Sequence, residues 1–229
     1  MQWAVKMGWH QTLFLHWKVD PDTIRQALPR NLDPDFHGGF GWIGLVVFEM
    51  TRVRHRWLPI LPGMHAYPEI NVRTYCKKRE KHGIYFFSLD TPEPLTRMGG
   101  SRRYHLPYRK RQIRFQKESA HQVSVQSYRA DEQLDLDVRY CGTGQPPEDK
   151  NADLIAWTSE RYHLFSVNPT GDLFHGEVHH PEWPVESVTF SLSCNRLLQR
   201  FGIIHQPADL AHYSRGVDTF AAPLKAIRD

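Results

Sequence analysis

Cysteine is scarce: 229 residues hold three, Cys76, Cys141 and Cys194, far apart and odd in number. No Cys-x-x-Cys pair exists, which argues against a zinc site and a disulfide framework and for a reduced compartment. Long apolar runs are missing too. The longest, Ile43 to Phe48, is far too short to span a bilayer. The start, Met1-Gln2-Trp3-Ala4-Val5-Lys6, has no sustained apolar stretch of the signal-peptide kind. A cytoplasmic protein without a membrane partner is therefore expected. Neither a Gly-x-Ser-x-Gly elbow nor a P-loop spacing occurs, so serine-nucleophile and nucleoside triphosphate chemistry are not expected, and no cofactor is implied. Asn168-Pro169-Thr170 carries proline in the middle and is not a glycosylation acceptor. No repeat and no low-complexity linker divides the chain, so residues 1–229 read as a single domain. Neither sign of charge dominates: 29 Lys and Arg face 25 Asp and Glu, a formal net charge of +4. The two signs are interleaved, which acts on solubility rather than marking a nucleic-acid face.

What is present is a series of short periodic segments. Residues 9–19 alternate in part and read as a strand buried on both sides. Asp20-Pro21-Asp22 supplies a cap and a proline for a short helix ended by Pro29. Strands are expected over 40–56, 67–77, 83–90, 111–117, 121–129 and 134–141, with a helix over 95–102 and a Gly/Pro-rich loop over 142–151. A helix start at 153–157 leads into a strand at 160–165. Residues 173–180 and 185–193 are spaced as a hairpin, 194–201 reads as a last helix closed by Gly202, and 203–229 as an extended tail wrapping the body. In the 67–77 strand, alternation places Glu69, Asn71, Arg73 and Tyr75 on one face. Such a face either meets solvent, the commoner arrangement for half-wet sheets, or lines a polar cavity.

The stretch from Arg97 to Arg111, Arg-Met-Gly-Gly-Ser-Arg-Arg-Tyr-His-Leu-Pro-Tyr-Arg-Lys-Arg, joins two glycines that permit a tight backbone path to a cluster of cations and Pro107. It resembles the segment of acetoacetate decarboxylases in which Gly-Gly leads through an aromatic to proline and adjacent lysines, the first of which forms a Schiff base with the substrate ketone. Here Tyr108 follows Pro107 and Arg109 comes next. Neither a phenol nor a guanidinium forms an imine with a ketone. Lys110 shares a strand face with Tyr108, yet a surface lysine among Arg109, Arg111 and Arg114 is the favoured reading.

Further stretches are similar to the YqjF-like family of unknown function, grouped with the acetoacetate decarboxylase-like superfamily. They include Tyr67-Pro68-Glu69-Ile70-Asn71-Val72-Arg73-Thr74-Tyr75, Gly83-Ile84-Tyr85-Phe86-Phe87-Ser88-Leu89-Asp90 and Leu106-Pro107-Tyr108. Later come Thr158-Ser159-Glu160-Arg161-Tyr162, His179-His180-Pro181-Glu182-Trp183-Pro184 and His212-Tyr213-Ser214-Arg215-Gly216-Val217-Asp218. The resemblance implies a β-rich α+β fold: mostly antiparallel sheet curled into a cone-like barrel around a central cavity, with a few short helices. It also implies that Glu69 is a pocket carboxylate, which Arg73 beside it would keep ionised.

The reading that follows is a small-molecule-binding protein whose ligand is anionic or carbonyl-bearing, acting as a monomer or small homo-oligomer. Arg73 and Arg102 would hold the anion, Glu69 and Tyr108 would supply polar contacts, and Asn71, Tyr75, Tyr104 and Glu160 complete the site. Which of Arg102 and Arg103 faces inward is open, and Glu160-Arg161-Tyr162 is either a structural ion pair or a second pocket element. Two alternatives stand beside it: an enzyme in which Tyr108 or Glu69 does acid–base work without covalent catalysis, and a partner-binding module whose cavity is filled. His175-x-x-x-His179-His180 is not expected to hold a metal, because four residues of strand span about 13 Å.

Overall fold

The computed structural model describes residues 3–119 and 121–227. The reading of the N-terminus rests partly on Met1 and Gln2, which lie outside the described residues, as do the last two residues of the expected tail. In chain order the elements are β1 (Val5–Val19), α1 (Pro21–Ala27), β2 (Asp33–Pro34), β3 (Gly41–His55), β4 (Ala66–Lys78) and β5 (Lys81–Thr91). Then come α2 (Pro94–Tyr104), β6 (Tyr108–Lys110), β7 (Gln112–Lys117), β8 (Gln122–Tyr128), β9 (Leu134–Gly142) and α3 (Ala152–Ser159). The rest are β10 (His163–Val167), β11 (Leu173–His179), β12 (Val185–Glu186), β13 (Val188–Asn195), β14 (Leu210–Ala221) and β15 (Lys225–Ala226).

Strands β14, β1, β3, β4, β5, β10 and β11 lie side by side, and β11 returns to β14 through Val178↔Ala221 and His179↔Phe220, so the sheet closes into a barrel. All neighbours are antiparallel except β5, which runs parallel to β10 and to β6. A second, four-stranded antiparallel sheet, β13-β9-β8-β7, covers part of the outside.

The two-sided burial of the long strands follows from this cover. Outward-facing Leu13, Leu15, Leu45, Val47, Ile70 and Val72 meet Val123, Val125, Leu136 and Val138 of the second sheet in one apolar layer. Each such aliphatic, fully withdrawn from water, stabilises the fold by roughly 1.5–3 kcal/mol. The alternate residues face inward. The helix α1 forms as its sequence expects: the Asp20 side chain accepts from the Asp22 N–H at 2.8 Å, Pro21 takes the first turn, and Ile24 and Leu28 join the same layer.

Three expectations are corrected. Residues 173–180 and 185–193 do not form a hairpin: β11 pairs with β10, β14 and β15, whereas β13 crosses to the second sheet and pairs with β9. Pro181 and Pro184 prevent a tight reversal, and the intervening Trp183 turns into the barrel instead, 5.9 Å from Trp9 and nearly parallel to it. The last helix is reduced to a 3₁₀ turn at Gln199–Phe201, because Cys194 and Asn195 complete β13; Gly202 does end it, at φ +76°. The extended tail holds β14, a barrel strand paired with β1 along its whole length. At Gly216 (φ +128°) any Cβ would lie 2.1 Å from the Trp9 carbonyl oxygen, so only glycine lets these strands meet.

The spacing Gly39-x-Gly41-x-x-Gly44 matches a dinucleotide fingerprint in letters only, because it opens β3 rather than a helix.

One ion-pair triad links the two sheets. Arg111 lies 3.5 Å from Asp90 on β5 and 3.1 Å from Asp135 on β9. Asp90 is fully buried, and burial pushes its carboxyl up to about 6 against the pull of Arg111. Replacing Arg111 with Met leaves two buried carboxylates unpaired. Urea denaturation at pH 7 should show a loss of about 3 kcal/mol, shrinking at pH 5 as Asp90 takes up a proton.

Candidate functional site

A cavity of about 160 Å³ occupies the barrel interior, walled by apolar side chains such as Phe14, Phe48, Met50, Met64 and Trp183. Its polar lining comes chiefly from β4. Glu69, Asn71 and Arg73 point inward in succession and are 2, 4 and 8% exposed. The solvent reading of this face is thereby overturned: the strand is central, with β3 and β5 on either side and the second sheet behind it.

Glu69 Oε2 accepts a hydrogen bond from the Tyr108 hydroxyl at 3.1 Å. Burial drives the Glu69 carboxyl up to about 8; the Tyr108 bond opposes the shift and the nearby charge of Asp90 adds to it. The group is therefore protonated at neutral pH. Burial and Glu69 likewise hold the Tyr108 phenol well above its ordinary range. The expectation that Arg73 keeps Glu69 ionised is corrected, since residues four apart on a strand sit about 13 Å apart. Arg73 instead donates from Nη2 to the Thr158 carbonyl at 3.0 Å and lies over Phe14 and Tyr75. Its Nε and the Asn71 Oδ1 are buried without a hydrogen-bond partner among the described residues.

Tyr108 reaches Glu69 because of one glycine. The pair Gly99-Gly100 lies inside α2 rather than in a turn, and a Cβ at Gly100 would stand 2.2 Å from the Tyr108 ring, whereas one at Gly99 would meet nothing within 4 Å. His105 then ends α2 in the left-handed region (φ +51°), and Pro107 O accepts from the Leu89 N–H, seating β6 beside β5.

Other expected residues divide. Tyr104 lines the cavity and donates to the Ala222 carbonyl at 3.3 Å. Tyr75 is fully buried behind Arg73, does not line the cavity, and its hydroxyl meets His16 Nε2 at 2.7 Å. Arg102 and Arg103 are both exposed on α2 and neither lines the cavity, although Arg103 acts on the lining residues His55 and Tyr104, so Arg102 is not placed to hold an anion there. Lys110 is exposed as well. Glu160 also lies outside the cavity: it accepts from the Trp183 N–H at 2.9 Å and from the Tyr162 hydroxyl, fixing the loop that inserts Trp183. Its neighbour Arg161 does line the cavity, anchored by Asp35 at 2.7 Å and lying over Trp157. His175 Nε2 meets His163 Nδ1 at 2.8 Å, and among the described residues no group of three metal-ligating side chains gathers.

Two buried histidines were not singled out from the sequence. His16 stacks on His212 with centroids 5.7 Å apart, and His212 Nε2 meets Ser159 Oγ at 2.8 Å beside the cavity. Burial first, then neighbouring positive charge including Arg73, lowers both, His212 to about 3, so both rings are neutral. The available signal was alternation: His16 shares the inward face of β1 with Phe14.

Residues 6–218 match the family model DUF2071, described as an uncharacterized conserved protein. The chain belongs to this family. YqjF of Bacillus subtilis (strain 168), itself described as uncharacterized, is 32% identical over 224 residues, 97% of this chain and 92% of that one. Among solved structures, acetoacetate decarboxylase from Legionella pneumophila superposes with a TM-score of 0.73 at 11% identity, covering 99% of this chain and 88% of that one. The enduracididine biosynthesis enzyme MppR, complexed with pyruvate, gives 0.69 at 13% identity, covering 100% and 92%. Such distant likenesses establish the fold of this DUF2071 member as acetoacetate decarboxylase-like. No helix among the described residues is long and apolar enough to cross a membrane.

Because the Glu69 pKa is raised on folding, its protonated form stabilises the fold, fully below about 4.5 and decreasingly as pH climbs toward about 8. Glu69→Gln should therefore be more stable than the natural protein above pH 5. The gain in thermal or urea unfolding should grow by on the order of 1 kcal/mol per pH unit and level off beyond pH 8. Gly100→Ala should displace the Tyr108 ring and return the Tyr108–Glu69 hydrogen bond to solvent, while Gly99→Ala should not; the phenol signals of Tyr108 in an NMR comparison would separate the two.

Proposed function

We propose that the barrel cavity binds a small carboxylate-bearing carbonyl compound without forming a covalent bond to it. The observation that carries the reading is a charge imbalance: among the described residues Arg73 is buried at the cavity with no carboxylate partner, and the one carboxyl lining that space, Glu69, is protonated. A buried guanidinium without a counter-charge is costly, and an anionic ligand would relieve it. The unpartnered Arg73 Nε and Asn71 Oδ1 offer a donor and an acceptor at one end of such a ligand, and the Glu69–Tyr108 pair offers protons at the other. MppR, which shares the fold, is described in complex with pyruvate, an acid of this class. Tyr108 stands where the resemblance to the decarboxylases puts the imine-forming lysine, so ligand capture here is non-covalent.

A second reading is favoured by one further observation. A neutral carboxyl hydrogen-bonded to a phenol is a proton donor held out of water. Such a pair could protonate a carbonyl oxygen as charge develops on it, making the cavity an acid–base active site rather than a binding pocket alone.

Trp9 and Trp183 line the cavity and report occupancy. Pyruvate should change their fluorescence saturably, acetone should bind at least tenfold more weakly, and Arg73→Met should erase the difference. Equal binding of pyruvate and acetone by the natural protein would overturn the anion assignment. Tyr108→Phe should leave pyruvate binding within about threefold; if the natural protein turns over a keto acid and this variant does not, the second reading holds.

A further inference from the structure

A second, more open cavity, of about 450 Å³, lies outside the barrel wall. It forms where β10 leaves β5: Leu164↔Ile84 and Phe165↔Tyr85 are their only paired positions, and beyond Tyr85 the neighbour of β5 becomes β6, at Leu89↔Tyr108. The seam left between them is lined by Tyr85, Phe87 and Phe165 and by the loop 105–107. Leu106 and Phe86 line both this space and the inner cavity.

Arg200 and Ser166 there have no hydrogen-bond partner among the described residues. The guanidinium of Arg200 rests on the rings of Phe87 and Phe201, 4.5 Å from each centroid, and among the described residues no carboxylate or carbonyl accepts from it. The other charge beside it is Arg109, whose repulsion, added to partial burial, lowers the Arg200 pKa. Arg109 lies within electrostatic reach of Asp90, whereas Arg200 has no carboxylate partner among the described residues. Ser166 is the second group: it is 2% exposed, and its Oγ is buried without a partner on the lining of the same cavity. A cation held flat by stacking keeps its in-plane N–H groups for a planar acceptor, and the aromatic walls suit an apolar body.

We propose that this outer cavity is a second binding site, for a small monocarboxylate with a planar apolar body. Arg200 pairs with the carboxylate, Ser166 donates from the wall, and Tyr85, Phe87 and Phe165 pack against the body. The site is independent of the Glu69–Tyr108 chemistry, although its occupant presses on Leu106, two residues before Tyr108.

The test uses 4-fluorobenzoate as anionic probe and 4-fluorobenzyl alcohol as its neutral match, with the full chain carrying ¹³C-labelled Ala, Val and Met methyl groups. Ala27 and Val167 report the outer cavity, Met50 and Met64 the inner one. Saturable shifts at Ala27 and Val167 are expected with the carboxylate. Arg200→Gln should weaken them at least tenfold and Ser166→Ala about threefold, with little change for the alcohol. Arg200 is exposed, so its replacement leaves the fold intact. No saturable shift at Ala27 and Val167, shifts confined to Met50 and Met64, or an affinity untouched by Arg200→Gln would each overturn the proposal.

Discussion

A row of polar side chains aimed into a closed barrel is the constraint that everything else answers. Glu69, Asn71, Arg73 and Tyr75 are withdrawn from bulk solvent, so protein partners are brought to them. Tyr108 comes from beyond α2, the Thr158 carbonyl from the end of α3, and His16 from β1. The three partners are distant in sequence from β4 and from one another. Their convergence explains why α2 is followed at once by the short β6, and why α3 ends where its last carbonyls face inward. Among the described residues the arrangement leaves Arg73 Nε and Asn71 Oδ1 without a partner, and Arg161 Nη2 joins them on the cavity lining; these atoms give the cavity its chemical specificity.

Electrostatics inside the barrel run toward neutrality. Glu69 holds its proton, the His16 and His212 rings shed theirs, and Tyr108 keeps its own. Burial dominates each of these four shifts, and the signs agree: each of the four groups is held in its neutral form. Arginine cannot be, so Arg73 and Arg161 carry the net positive charge of the interior. Arg161 is balanced by Asp35, and Arg73 is not.

Much of the barrel was legible as alternation and apolar runs. The long strands, α1 with its cap, and the single-faced placement of Glu69, Asn71 and Arg73 all follow from period-two geometry and turn chemistry. Facing was legible only where periodicity is strong. On α2 it failed, because a helix with two glycines and mean polarity on all sides does not declare an inner face, and Arg102 turned out exposed. At Glu160-Arg161 alternation allowed either neighbour inside, and the choice was made by Asp35, 126 residues away. Pairing was harder still. The 185–193 strand looked like the partner of the one before it, yet its register lies with β9, and β14 hid its central place behind inward His212, Ser214 and Thr219.

The pairing of β1 with β14 spans most of the polypeptide, Val5 meeting Ala221 and His16 meeting Leu210. During synthesis on a ribosome, the first strand is thus made some two hundred residues ahead of the neighbour that seals it. Through that interval one edge of β1 lacks its partner, and so does the edge of β11 once that strand is made, with unpaired amides open to other nascent chains. Closure is a late, long-range event with a large loop entropy to overcome. The same topology that shelters a neutral carboxyl in the finished barrel makes its newborn form dependent on protection until the final long strand emerges.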